Sequence, residues 1–211
     1  MIHTFGDSHS CFGWIEPMGG NHVPHHNTTK TVGGITVHHL GPVLAYSVGR
    51  DGTRLLNITG CGVNANDSVV FSFGEIDCRC HIHKHVGDKK PADIISDIVS
   101  GYVNTVLMNI EMINLPVRSY LYNVIPPPRD NTVINSPNFP FLGSGEERLG
   151  YVDMFNDNLK LASESHQLGF IDVREMYTTD DGYLDASLSD GSVHIHSSDL
   201  LRGYLETNNI K

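Results

Sequence analysis

With 211 residues, 39% of them hydrophobic and 18% charged, the chain has the size and composition of one globular domain with a sizeable core. Fourteen Lys and Arg against 24 Asp and Glu leave a net charge of −10, which argues against a polyanion-binding surface, so nucleic acid is not an expected partner. No run approaches the roughly 18 apolar residues that cross a bilayer, and the first residues lack the basic and apolar regions of a signal peptide; a cytoplasmic protein with no membrane partner is expected.

The opening run Ile2-His3-Thr4-Phe5 reads as a short strand that stops at Gly6 and releases Asp7-Ser8-His9. Residues 10–34 are rich in Gly, Pro, His and Asn and read as a loop. Ile35 to Leu40 is a β-branched alternating run closed by Gly41-Pro42, hence a second strand, and Val43 to Val48 can be helical. Val69-Val70-Phe71-Ser72-Phe73 is short, continuous and apolar, as in a strand buried on both faces, and ends at Gly74-Glu75-Ile76-Asp77.

Beyond Pro91, apolar residues from Ile94 to Ile110 recur at three- and four-residue steps and predict a long helix with one wide buried face. Val117 to Ile125 predicts a fourth strand, stopped by Pro126-Pro127-Pro128, and residues 129–145 a loop. Tyr151, Met154, Phe155, Leu159 and Ala162 form a second helical stripe; Gly169 to Met176 gives a fifth strand. After a polar loop to His196, Ser197 or Ser198 can cap a last helix bearing Leu201, Tyr204 and Leu205. Strands separated by helices argue for an α/β layered domain with a mainly parallel sheet, whose strand ends gather on one edge. The four cysteines, Cys11, Cys61, Cys78 and Cys80, are too irregularly spaced for a disulfide framework and are expected as thiols.

That edge collects a chemically useful set. Ser8 follows the first strand, and Asp190-Gly191-Ser192-Val193-His194 precedes the last helix. Acyl transfer needs a hydroxyl nucleophile, a base within hydrogen-bond reach, a carboxylate to orient the base, and donors for the oxyanion. Ser8, His194, Asp190 and loop amides can supply them.

In these blocks and their order the chain resembles the SGNH or GDSL hydrolases: Gly6-Asp7-Ser8 near the start, a Gly-containing loop after the second strand, a Gly-initiated block after the third, and Asp and His before the last helix. The resemblance implies a three-layer α/β/α sandwich with a flavodoxin-like sheet of about five strands, in a single domain over residues 1–211. It implies Ser8 as nucleophile, His194 as general base, Asp190 as its orienting acid, and the amides of Ser8 and Gly41 in the oxyanion hole. It implies no metal and no organic cofactor. The expected substrate is a small-molecule or carbohydrate ester carrying a short acyl group such as acetyl, which is hydrolysed or transferred.

Two departures bear on mechanism. The family's third block usually reads Gly-x-Asn-Asp, with the Asn donating to the oxyanion, whereas Gly74-Glu75-Ile76-Asp77 has Ile there; losing one such donor costs about 3 kcal/mol of transition-state stabilisation. Arg79 is the expected substitute, or a partner for a charged group on the substrate; Asp7, His9, Glu75 and Asp77 are further candidate substrate-binding residues. The second departure is spacing, since Asp190 lies four residues before His194 where the family usually has three, which leaves His196 as an alternative base.

Two other classes compete. Asp7-x-His9, Asn21-His22 and His194-x-His196 can be read as ligands of a calcineurin-like metallophosphoesterase, although that family's bridging carboxylate block is missing. A carbohydrate-binding protein that keeps the fold without activity is the other, supported by Ile76. His81-x-His83-x-His85 shares one face only if extended, and a solvated run is the expected state.

Overall fold

The computed structural model describes residues 1–12, 28–130, 137–196 and 199–211. Six strands make one sheet: β1 (Ile2–Gly6), β2 (Thr28–Val32), β3 (Ile35–His39), β4 (Ser68–Ser72), β5 (Arg118–Tyr122) and β6 (Gly169–Ile171), in the order β2-β3-β1-β4-β5-β6. β1 lies between β3 and β4 and is parallel to both; β4, β5 and β6 continue the parallel set, while β2 is antiparallel to β3 at the edge. Without β2 this is the flavodoxin-like strand order, in which ligands bind beyond the carboxyl ends of the strands where the winding reverses, here between β1 and β4.

The central strands β1, β3 and β4 are buried on both faces, and of the three β4 shows it in sequence as a continuous apolar run. Their period of two still sorts the side chains. Phe5, Val69 and Phe71 join one core cluster, and Ile2, Val37 and Val70 the other. Val69, Val70 and Phe71 are wholly buried, each contributing roughly 1.5–3 kcal/mol relative to exposure.

Helices α1 (Ala45–Asp51), α2 (Pro91–Ile113) and α3 (Gly145–His166) cover the first face. α2 starts with Pro at its first turn and buries Ile94, Ile95, Ile98, Val99, Tyr102, Val103 and Val106, the stripe expected from the sequence. α3 opens with a capping box in which the Ser144 hydroxyl accepts from the Glu147 amide while Glu147 accepts from that of Ser144. Helix α4 (Asp199–Thr207) sets Leu201 and Leu205 against the opposite face. The result is an α/β/α sandwich.

The structure corrects the element boundaries in places. Residues 28–32, expected within a loop, form β2, a sixth strand joined to β3 by the two-residue turn Gly33-Gly34; its sequence Thr-Thr-Lys-Thr-Val is too polar to stand out, but the Gly-Gly turn is a hairpin signal. β5 ends at Tyr122 rather than Ile125, and β6 covers only Gly169–Ile171 because Arg174–Tyr177 turns into a 3-10 helix. The histidine run is not extended: Asp77–His81 is a π turn and Ile82–His85 a 3-10 turn. Within it His81 packs edge-on to His85, and His83 Nδ1 shares a hydrogen bond with the Tyr151 hydroxyl at 3.1 Å. The proposed caps Ser197 and Ser198 lie outside the described residues, as does Asn21-His22. Cys11, Cys61, Cys78 and Cys80 are free thiols. Among the described residues, no helix is long and apolar enough to cross a membrane.

Candidate active site

Gly6 ends β1 where the chain must pass hard against β4: a side chain there would run into the Ser72 carbonyl oxygen. From this point Asp7 caps a single 3-10 turn, Ser8–Cys11, its carboxylate accepting the His9 amide at 2.9 Å, while the Asp7 carbonyl accepts the Ser10 hydroxyl at 2.7 Å. The turn holds Ser8 half-buried at the carboxyl edge of the sheet, with its own amide at the turn's free N-terminal end.

The Ser8 hydroxyl lies 2.8 Å from Nε2 of His194, and Nδ1 of His194 donates to the Asp190 carboxylate at 2.9 Å. Ser8 and His194 are 186 positions apart; the fold alone brings them together. The four-residue spacing of Asp190 and His194 is accommodated by a closed loop. Ser189 and Ile195 form an antiparallel bridge, the Asp190 amide donates to the His194 carbonyl at 3.1 Å, and Asp190 Oδ1 accepts the Ser192 amide at 2.8 Å. Partial burial works against the Asp190 charge, but the hydrogen bond from His194, that residue's charge and the loop amides together hold its carboxyl below the ordinary value. An ionised Asp190 fixes the His194 tautomer that leaves Nε2 free to accept from Ser8. His196, the alternative base, is exposed, and its amide closes the loop onto the Leu188 carbonyl at 2.7 Å.

Gly41 is buried and has a φ of +91°, which a side chain would strain. It follows β3 at the same edge, directly after Leu40, whose amide donates to the Gly6 carbonyl at 2.8 Å. The loop behind β4 brings the remaining candidates, but not all to the same place. Asp77 is fully buried and its two oxygens accept the amides of Ala45 and Tyr46, at 2.7 and 3.1 Å. It caps the first turn of α1, with both oxygens taken by backbone amides. Burial raises its carboxyl to about 7, against the pull of those two amides. Asp7 is likewise buried; desolvation pushes its carboxyl well up, and its Oδ1 holds the turn through the His9 amide.

Glu75, Arg79 and His9 form one cluster instead of three separate contacts. Arg79 Nη2 lies 3.1 Å from Glu75 Oε2, and His9 Nε2 lies 3.7 Å from the same oxygen. The His9 ring meets that of His194 with centroids 4.9 Å apart. Arg79, expected as an oxyanion donor, has its guanidinium committed to Glu75 and packed beside the rings of Phe139 and Phe141, at 5.9 and 5.5 Å. Ile76 is buried at 4% exposure, an apolar side chain where the family has a donor.

Phe139 and Phe141 were not singled out in the sequence. Phe141 also receives the guanidinium of Arg148 at 5.3 Å, and Arg148, buried on α3, donates to the Gly143 carbonyl at 2.6 Å and pairs with Asp130. Aromatic residues flanking Pro140 in a loop that follows a strand were the available signal. Among the described residues no group of three or more His, Cys, Asp or Glu side chains is arranged to hold a metal.

No family model matches this chain, and no curated protein matches it either. Solved structures do. A GDSL-like lipase from Bacteroides thetaiotaomicron superposes with a TM-score of 0.57 at 10% identity, over 98% of this chain and 86% of that one. A lipase/acylhydrolase from Enterococcus faecalis gives 0.52 at 16% identity, over 99% and 94%. A catalytic mutant of the acetylxylan esterase Axe2 from Geobacillus stearothermophilus gives 0.52 at 13%, over 100% and 94%. At these identities the likeness establishes the architecture: the chain has the SGNH/GDSL hydrolase fold.

Proposed function

We propose that the protein is a serine esterase of the GDSL type that removes, or transfers, a short acyl group such as acetyl on a carbohydrate, with Ser8 as nucleophile, His194 as base and Asp190 as orienting acid. The observation that carries this reading is the hydrogen-bonded series from Ser8 through His194 to Asp190, at 2.8 and 2.9 Å, at the edge of the sheet where such folds bind ligands.

In this mechanism Ser8 Oγ attacks the ester carbonyl carbon as its proton passes to His194 Nε2. The carbonyl π electrons move onto oxygen, and the amides of Ser8 and Gly41 donate to that oxyanion. Collapse expels the alcohol, which takes the proton from His194, and leaves an acyl group on Ser8. Water, or a sugar hydroxyl, then attacks with His194 again as base, and the carboxylic acid or new ester departs. Asp190 stays ionised throughout and stabilises the imidazolium.

The sugar assignment is supported by the polar composition of residues 10–34 and 129–145 and by the acetylxylan esterase that shares the fold. The test is intact-mass spectrometry after treatment with a fluorophosphonate, followed by acetate release from acetylated oligosaccharides. One adduct on the wild type, insensitive to chelator and absent from Ser8→Ala, is expected. An unlabelled wild type, or phosphatase activity that a chelator abolishes, overturns the reading in favour of the metallophosphoesterase or non-catalytic classes.

A further inference from the structure

The hydrolytic relay uses Ser8, His194 and Asp190, yet a second ionisable group stands on the other side of His194. His9 follows the nucleophile directly, and its ring packs against that of His194 at 4.9 Å, tilted by 42°. Behind it Glu75 Oε2 faces His9 Nε2 at 3.7 Å, and Arg79 holds the same oxygen at 3.1 Å. These side chains are nearly dry: His9 is 6% exposed, Glu75 12% and Arg79 13%. Burial of an acid, an imidazole and a guanidinium in one layer is costly unless each answers another.

We propose that Glu75 is a positioning residue for the relay: held by Arg79, its carboxylate fixes His9 against His194 and supplies negative charge that favours the imidazolium formed when His194 takes the Ser8 proton. This inference rests on the serine-esterase reading and deepens it.

The charges facing the base are these. From its own loop comes Asp190; from the turn behind β1 come Ser8 and His9; from the segment behind β4 comes Glu75, with Arg79 beyond it. Asp7 and Asp77 are electrostatic neighbours of Glu75, but burial pushes the Asp7 carboxyl well up, and that of Asp77 up to about 7, so their charge is diminished. Burial also works against the Glu75 charge, yet Arg79, then His9 and His194, outweigh it and hold that carboxyl below its ordinary value. His9 is lowered, first by burial and next, among the lowering causes, by the neighbouring His194, with Glu75 opposing. A neutral His9 between an ionised Glu75 and the reacting base transmits the field without adding a competing positive charge.

The geometry also separates two tasks in a site that lacks the family's third oxyanion donor. Asp190 binds Nδ1 and selects the tautomer. Glu75 makes no hydrogen bond to His194 and acts through space and through the packing of His9, so its removal alters the pH at which the base works as well as the rate.

The experiment is the rate of Ser8 labelling by a fluorophosphonate, measured from about pH 5 to pH 9 for wild type, Glu75→Gln and the charge-balanced double variant Glu75→Gln/Arg79→Gln, with folding checked by circular dichroism. Loss of the nearby negative charge lets the base release its proton sooner. The pH midpoint of labelling is therefore expected to move down by roughly half a unit in Glu75→Gln, and by less in the double variant. A folded Glu75→Gln whose midpoint moves up, or whose limiting rate at high pH is not lowered, overturns the inference. If Glu75→Gln does not fold, the double variant decides by the same criterion. A wild type that does not label brings down the esterase reading and this inference together, whereas a labelling wild type with unmoved midpoints brings down this inference alone.

Discussion

Asp77 accepts the amide of Ala45 at 2.7 Å across 32 positions of sequence, tying the segment behind β4 to the start of α1. The second oxygen takes Tyr46, so one carboxylate satisfies two of the amides that a helix start leaves without partners. Between Gly41 and Ala45 lie only three residues, so this bond also anchors the loop that carries the proposed Gly41 donor. Asp77→Ala is expected to destabilise the fold by about 1–2 kcal/mol and to lower esterase activity through displacement of that loop. Urea unfolding beside turnover of 4-nitrophenyl acetate checks both; unchanged values for both would refute the role.

Within the relay the three substitutions are expected to differ in kind. Ser8→Ala abolishes labelling and turnover, because no other hydroxyl takes its place. His194→Ala loses the base and falls by roughly the same factor, while Asp190→Asn keeps the loop but presents a donor where Nδ1 needs an acceptor, lowering kcat by about 100- to 10,000-fold. Single-turnover kinetics with an aryl acetate distinguish them. Near-wild-type kcat in Asp190→Asn would reassign the orienting role.

Gly6 sets the start of the nucleophile turn. In Gly6→Ala the new Cβ meets the Ser72 carbonyl oxygen and stands 2.9 Å from Cβ of Ser10, and neither backbone nor buried turn can yield cheaply. We expect a loss of about 2–3 kcal/mol, at the upper end for overpacked sites, and a fall in labelling even in the folded fraction, because Ser8 moves with the turn. Labelling rates normalised to folded protein are the deciding measurement.

A different part of the sheet is expected to contribute to acid sensitivity. His38 Nε2 and His3 Nδ1 share a hydrogen bond of 3.0 Å, and the His38 ring stacks on Phe5 at 4.3 Å. Burial, then the neighbouring His3, lowers His38 from 6.5 to about 4. The native state therefore binds fewer protons here than the unfolded chain, so this contribution is whole above pH 6.5 and is lost as pH falls through about 4. Melting temperature is expected to decline across that window, and less steeply in His38→Gln. An equal slope in the variant would locate the acid sensitivity elsewhere, His81, also lowered to about 4 with burial as the main cause, being the next group to vary.

The parts of this architecture that were readable in sequence are those where one physical signal dominates. Val69 to Phe71 reads as a buried strand because the run is short, β-branched and aromatic and is soon closed by Gly74, and the three- and four-residue steps from Ile94 to Val106 are those of a helix. Thr28–Val32 was hidden because its pairing with β3, not its own side chains, makes it a strand. The candidate site divides in the same way. Ser8, Asp190 and His194 were suggested by residue type and order, and their geometry required only that the strand ends converge. Asp77 and Arg79 were assigned to substrate because charge near a catalytic block looks functional; only the fold reveals that Ala45 and Glu75 lie close enough to claim them. Phe139 and Phe141 acquire meaning from Arg79, far earlier in the chain, and Phe141 also from Arg148 on α3.

The loop that joins Asp190 to His194 is closed upon itself, by a bridge from Ser189 to Ile195 and by the acid–base hydrogen bond inside it. Acid and base thus travel as a preassembled cassette, which meets the nucleophile's turn through the His194–Ser8 hydrogen bond and the His9–His194 ring contact. Damage to the docking of the chain's final segment would disengage the cassette as a unit, like a key withdrawn from a lock, leaving an inert protein in which the His194–Asp190 bond still looks sound.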